Sequence, residues 1–234
     1  IDDCADLQAY HADIVLNQNI SANKLSYPCG ADTALLLGND YALLRTEFTG
    51  WDEWLRVIPD RAENILVTLG GSDPDLVTLD IIDALAGVPA PALQVKVVVG
   101  NLNRHGAEIR LAAASCPTAH AIEVVPPVDD MSALMIWADV AISAAGSTCW
   151  ELASVGLPSL LVVLSPDQLA IAQGMDQTRA AIYVEDRTGD EIARTLSALV
   201  EDRDRRAGIS RKCREFIDGH GAERVVTAMV KMNS

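Results

Sequence analysis

The stretch VAISAAGSTCWELASVGLPSLLVVL, residues 140–164, decides how the chain folds. VAISA (140–144) is apolar without alternation. SLLVVL (159–164) repeats that pattern after a Gly-Leu-Pro stop at 156–158. Unbroken apolar runs of this length fit strands covered on both faces, as in a parallel sheet. Between them TCWELASVG carries helical spacing, and Ala144, Ala145 and Gly146 leave the backbone bare just before it. Strand, helix and strand in that order make one crossover unit. Glu151 then needs explaining, because it places a carboxylate one turn into a helix that otherwise reads as buried. One reading is a capping box, Thr148-x-x-Glu151, which satisfies the orphan N–H groups of the helix start. The other is a ligand site. An ionised carboxylate has two acceptor oxygens for adjacent sugar hydroxyls, and the N–H groups near Ser147 and Thr148 can face an anion.

Outward from this unit the same alternation recurs. NILVTLGG (64–71), VKVVVG (95–100), AIEVVPP (121–127) and the short IYVE (182–185) read as strands. DLVTLDIIDALAG (75–87), AEIRLAAAS and MSALMIWA read as helices between them, and three amphipathic helices close the chain near 190–202, 204–218 and 222–232. In such sheets ligands bind beyond the carboxyl ends of the strands. That rule directs attention to GGSDPD, GNLNRHG, VPPVDDM, SAAGSTCWE and SPDQ. The first fifty residues differ: DIVLNQN and ADTALLLGNDYALLRTEF contain strand-like runs without a helix of their own. They read as the tail of another α/β domain (1–50). A linker over 49–64 leads into a second domain, 51–234.

Each loop has two readings. In GGSDPD, Ser72 or Asp73 can cap a helix with Pro74 in its first turn, or Gly71 and Ser72 can let a ligand approach the backbone. In VPPVDDM, Asp129 or Asp130 can be caps, or the stiff turn at Val128 can offer its backbone to the edge of a base. In SPDQ, Asp167 and Gln168 form a turn before a helix or meet a sugar.

Composition narrows the function. Half of the 234 residues are hydrophobic, enough for a sizeable core, yet no apolar run reaches the length of a membrane span. A net charge of −15 argues against nucleic acid or anionic lipid as partner, since both need a basic face. It leaves room for a phosphorylated small molecule held by backbone N–H groups. Five widely spaced cysteines without C-x-x-C, and four histidines without ligand spacing, predict neither a metal nor a disulfide framework, and a reducing cytoplasmic setting. Cys149 makes a poor nucleophile, being inside a helix with no His near it in sequence. No P-loop and no G-x-G-x-x-G are present.

Taken together, PPVDDMSALMIWADVAIS followed by AAGSTCWELASVGLPSLLVVL resembles the nucleotide-binding half of a GT-B fold protein, as in the lipid II-forming N-acetylglucosaminyltransferases. IDDCAD (1–6), DIVLNQN (13–19), LLLGNDYALLRTEF (35–48), LVTLGGSDPD (66–75) and DGHGAERV (218–225) also resemble the UDP-2,4-diacetamido-2,4,6-trideoxy-β-L-altropyranose hydrolase family of pseudaminic acid biosynthesis. The resemblance implies an α/β GT-B architecture with a Rossmann-like C-terminal domain, UDP-sugar as substrate and no cofactor. It places Glu151 on the ribose, Gly146, Ser147 and Thr148 on the diphosphate, Val128 beside the uracil, and Gly71 and Ser72 on the phosphate side. Tyr41, Leu44 and Arg45 fall near an interdomain cleft, and Asp167 and Gln168 approach the sugar. The last helix is expected to return to the other domain.

Two departures qualify that picture. The family carries a Gly-x-Gly-His loop whose His activates water, and this chain has none. The expectation is of a fragment or processed chain whose catalytic base lies in an absent N-terminal domain, and which does not catalyse alone. Asp167 stands where the family has Asn, and a carboxylate cannot donate to an N-acetyl carbonyl as an amide can. Hydrolysis of a UDP-linked amino sugar is the expected reaction. A UDP-sugar-dependent GT-B glycosyltransferase and a nucleotide-binding subunit needing a separate catalytic partner are the alternatives.

Overall fold

Strand by strand, alternate side chains divide between two apolar clusters. In β3 (Asn64–Thr68), Ile65 and Val67 enter one cluster and Leu66 the other. In β6 (Val140–Ala144), Val140, Ile142 and Ala144 enter the first and Ala141 the second. This period of two is what a strand buried on both faces must show. The computed structural model describes residues 1–51, 54–89 and 91–232, so Asp52 and Glu53 of the expected linker, and Ala90, Asn233 and Ser234 of the expected second domain, lie outside the described residues.

With β4 (Gln94–Val98), β5 (Ala121–Val125), β7 (Ser159–Val162) and β8 (Ile182–Tyr183), these strands form a six-stranded parallel sheet in the order β5-β4-β3-β6-β7-β8. Counted within the sheet, this is the doubly wound dinucleotide-fold order, whose direction reverses between β3 and β6. The first cluster packs α1 (Val77–Ala86) on one face through Ile81, Ile82 and Leu85. The second packs α3 (Met131–Trp137) and α4 (Thr148–Ser154) on the other through Met135 and Leu152. The remaining helices are α2 (Gly106–Ser115), α5 (Leu169–Gln177), α6 (Gly189–Glu201), α7 (Arg203–Phe216) and α8 (Gly221–Met232). None of the described helices is long and apolar enough to cross a membrane.

The first fifty residues supply a separate parallel pair, β1 (Ile14–Asn17) and β2 (Ala34–Leu37). As expected, their cover comes from the far end of the chain: Leu16 and Leu36 pack on Val225 of α8. Gly221 opens α8 directly against Ala42, whose backbone a Cβ at that position would strike. Asn39 donates to the Phe216 carbonyl (2.7 Å) and Arg224 to that of Asp40 (2.9 Å).

Two arginines, Arg56 half-buried and Arg206 fully buried, fix the segment that precedes β3. Arg56 donates to the carbonyls of Met135, Ala138 and Val155, and burial brings its pKa down to about 10. Arg206, fully buried, donates to Leu199, Val200 and Pro59 carbonyls. Each serves carbonyls that helix ends and loops leave without partners.

One local expectation is corrected. Pro74 does not enter the first turn of α1, which begins at Val77 after Leu76 in a left-handed conformation. Asp73 is the residue that anchors this helix. Its buried carboxylate accepts from the N–H groups of Val77 (2.9 Å) and Thr78 (3.0 Å) and from the Thr78 hydroxyl (2.6 Å). A capping carboxylate can reach this far only if the chain loops back on itself, which moves the helix start past the proline.

Candidate functional site

Beyond the carboxyl ends of β3 and β4, two glycine turns meet backbone to backbone. A Cβ on Gly100 would run into the carbonyl oxygens of Gly70 and Gly71, and Leu102 donates its N–H to Gly71 (3.0 Å). Only glycine permits that approach. Across the reversal point, β6 ends at Ala144, and Ala145 still donates to Val162 (3.0 Å) before the chain turns into α4. The first turn of α4 is tight, with Cys149 donating to Gly146 (3.0 Å) and Trp150 to Ser147 (3.1 Å). Among the described residues, the N–H groups of Gly146, Ser147 and Thr148 have no acceptor.

The capping box read at Thr148 and Glu151 is not formed. Ser147 holds the cap position without a side-chain bond, and Thr148 is already helical. The Glu151 carboxylate turns instead to Arg45, with Nε to Oε1 at 2.6 Å and Nη2 to Oε2 at 3.0 Å. A paired, charge-assisted contact of this kind outcompetes a single neutral one. Arg45 also reaches Glu47 (Nη1 to Oε1, 3.0 Å), whose same oxygen accepts the Met131 N–H that opens α3 (3.0 Å). The guanidinium lies 5.5 Å from the Phe48 ring centroid. Its pKa is pushed further up, first by the bond to Glu151. Asp130 caps α3 by accepting from Ala133 (3.1 Å), and its carboxyl is held down by the Ser132 hydroxyl and then by that N–H.

These turns enclose two adjoining recesses that share Gly70, Gly71 and Thr148. One, of about 350 Å³, is walled by Arg45, Glu151, Gly100, Val128 and Met131. The other, of about 280 Å³, is walled by Ser72, Gly146, Ser147, Ser165 and Gln168. Gln168 is set by accepting the Leu164 N–H at its Oε1 (3.0 Å). So Gly71, Ser72, Val128, Gly146, Ser147, Thr148, Glu151, Arg45 and Gln168, read from distant parts of the sequence, line one continuous cleft.

Three expected residues do not, the first being Leu44, which packs half-buried against both apolar clusters. Tyr41 packs with the Leu16, Leu36 and Val225 cluster, drawn there because α8 closes over its 3-10 turn (Asn39–Tyr41). Asp167 is outside both linings, on an exposed 3-10 turn (Pro166–Gln168). It lies near enough to Cys4 to contribute to raising that thiol's pKa, after desolvation and the carboxylates of Asp6, Asp2 and Asp3.

Sequence reasoning missed Glu47. It sits in a single 3-10 turn (Thr46–Phe48), where no helical or strand period marks it, and only its place in YALLRTEF could have raised it. Cys149 is buried, and burial raises its thiol far above the range of a nucleophile. No group of His, Cys, Asp or Glu among the described residues could hold a metal ion.

The family model described as "Glycosyltransferase family 28 C-terminal domain" matches residues 65–224. The spore coat polysaccharide biosynthesis protein SpsG of Bacillus subtilis (strain 168) is 28% identical over 205 residues, covering 85% of this chain and 58% of that protein. The UDP-N-acetylglucosamine--N-acetylmuramyl-(pentapeptide) pyrophosphoryl-undecaprenol N-acetylglucosamine transferase of Sorangium cellulosum (strain So ce56) is 34% identical over 145 residues, covering 57% of this chain and 36% of that protein. The chain therefore spans well under two thirds of either relative. Among solved structures, MurG of Acinetobacter baumannii superposes with a TM-score of 0.72 at 20% identity, covering 93% of this chain and 66% of that one. At that identity the likeness is one of fold, and it bears out the GT-B architecture.

Proposed function

This chain belongs to the glycosyltransferase family 28 C-terminal domain family, and on that premise we propose that it is the donor-binding half of a GT-B glycosyltransferase acting on a UDP-linked amino sugar. The observation that carries the proposal is the position of Glu151. Its largely buried carboxylate stands in the wall of the cleft at the sheet's reversal point, beside a backbone stripped of side chains.

In this reading the uracil lies against Val128 and the turn after β5. The ribose hydroxyls donate to Glu151. Arg45 uses one lone pair on each carboxylate oxygen and leaves another on each for the two hydroxyls, so it orients Glu151 without blocking it. The diphosphate accepts from Gly146, Ser147 and Thr148, with Gly71 and Ser72 facing it. The sugar reaches toward Gln168, which lines the second recess. Residues 1–50 are then the end of a first α/β domain and 51–234 the nucleotide-binding domain. Preorganised N–H donors would stabilise charge on the departing UDP, while the base that activates the acceptor comes from outside the described cleft.

Transfer is favoured over hydrolysis because the relative from Sorangium cellulosum is named a transferase and that of Bacillus subtilis a polysaccharide biosynthesis protein. The hydrolase reading rests on sequence motifs alone. The deciding experiment follows UDP release by a longer protein containing this chain, with UDP-sugar, in the presence and absence of candidate acceptors. Acceptor-dependent release is expected. Equal release into water alone would return the assignment to a hydrolase.

A further inference from the structure

A second concave site lies at the opposite end of the sheet. It occupies about 400 Å³ between α7 and the turn from α5 into β8. Because β8 runs parallel to its neighbours, the residues that open it, Ala181 and Ile182, are at the end remote from the cleft. Around this recess stand Arg179, Arg205, Arg211 and Lys212, against one lining carboxylate, Asp176. In a chain of net charge −15 with 18 Lys and Arg in all, so local an excess of cations is the reverse of the average surface. Lys212 pairs with Glu215, and Asp176 accepts the Tyr183 N–H (3.1 Å). The side chains of Arg179, Arg205 and Arg211 have no ion pair among the described residues.

Two backbone choices around the same recess run against local preference. α5 ends in a Schellman closure: Arg179 donates to Asp176 (2.9 Å) and Ala180 to Met175 (2.9 Å). The residue at the left-handed position of that motif is by default glycine, yet here it is Arg179, with φ of 61°. Conversely, Gly208 stands in the interior of α7, where glycine weakens a helix. No close neighbour requires it, since a Cβ there would meet nothing within 4 Å. What its absent side chain does is keep the recess open beneath the three arginines. Ile182 and Ile209 supply an apolar floor.

We propose that this recess is a binding site for an organic phosphate, the phosphoryl group held by Arg179, Arg205 and Arg211 and the organic part resting over Ile182 and Ile209. Arginine's planar fork suits phosphate oxygens in pairs, and the recess is larger than a bare phosphate needs. The phosphate can belong to a soluble ester or to a lipid headgroup.

The test is a titration of the whole chain, with UDP at saturation to occupy the other cleft. Glycerol 3-phosphate is the soluble probe, and phosphatidylglycerol vesicles, against phosphatidylcholine vesicles, are the headgroup probe. Two variants separate binding from folding. Arg179→Gly suits the left-handed backbone, and Gly208→Leu suits the helix while filling the recess. Both should keep or raise the melting temperature, yet weaken binding of whichever probe is recognised by about tenfold or more. Failure of both probes to bind the unaltered chain, or binding that survives in both variants, would overturn the proposal.

Discussion

Arg45 and Glu151 are 106 residues apart in sequence and meet through both carboxylate oxygens, at 2.6 and 3.0 Å. The pair joins the segment that precedes β3 to the first turn of α4, and through Glu47 it extends to the first turn of α3. It therefore fixes a carboxylate where the sheet reverses, at the site where a nucleotide's ribose is proposed to lie.

Replacing Glu151 separates a structural role from a binding one. Arg45's side chain is 46% exposed, so the ion pair itself contributes little to stability, less than about 1 kcal/mol. Glu151→Gln keeps the shape but loses the charge. Its UDP affinity should fall by about ten- to hundredfold, the loss expected for hydrogen bonds to a charged group. The melting temperature should barely move. Calorimetric titration and a thermal melt on the same sample check both.

Asp73 is expected to behave in the opposite way. It is buried and serves α1, so Asp73→Ala leaves the Val77 and Thr78 N–H groups without their acceptor. The expected cost is about 2 kcal/mol of stability, read from urea unfolding. UDP affinity should stay within about twofold.

Gly100 tests the close approach of the two turns. Gly100→Ala drives a methyl group into the Gly70 and Gly71 carbonyls. It should cost about 1–3 kcal/mol and weaken UDP binding by displacing the cleft wall. Gly106→Ala, whose Cβ meets its neighbours at ordinary contact distances beginning at 3.6 Å, should change neither.

The contact between α8 and the first fifty residues should be acid-sensitive. Asp218 is bonded by Arg224, which lowers its pKa to about 2 from 3.8, and the same arginine holds the Asp40 carbonyl. A depressed carboxylate pKa gives stability that is complete above the unfolded value and is lost as pH falls toward the folded one. The melting-temperature gap between the natural chain and Asp218→Asn should be constant from neutrality down to about pH 4.5, then close as pH approaches about 2.

The six strand-helix units were legible because burial on both faces writes itself as unbroken apolar runs, as in Val140–Ala144 and Ser159–Val162. The order of the strands and the pairing of Ile14–Asn17 with Ala34–Leu37 were not, since no local period records which distant segment an apolar face will meet, and the return of α8 followed from the resemblance rather than from any local pattern. The same holds for the cleft. Its glycines and Glu151 stood out because they break the pattern around them, whereas Arg45 and Glu47 acquire their roles only by long-range contact. Of the two readings of Thr148 and Glu151, the capping box is not formed for that reason: a local partner was available, and a charged distant one won.

The most direct measurement is a crystal structure of this chain with UDP. Both ribose hydroxyls should lie about 3 Å from the Glu151 carboxylate oxygens, with diphosphate oxygens at the same range from the N–H groups of Gly146, Ser147 and Thr148. A nucleotide bound elsewhere, or one in this cleft whose ribose makes no contact with Glu151, would contradict the account.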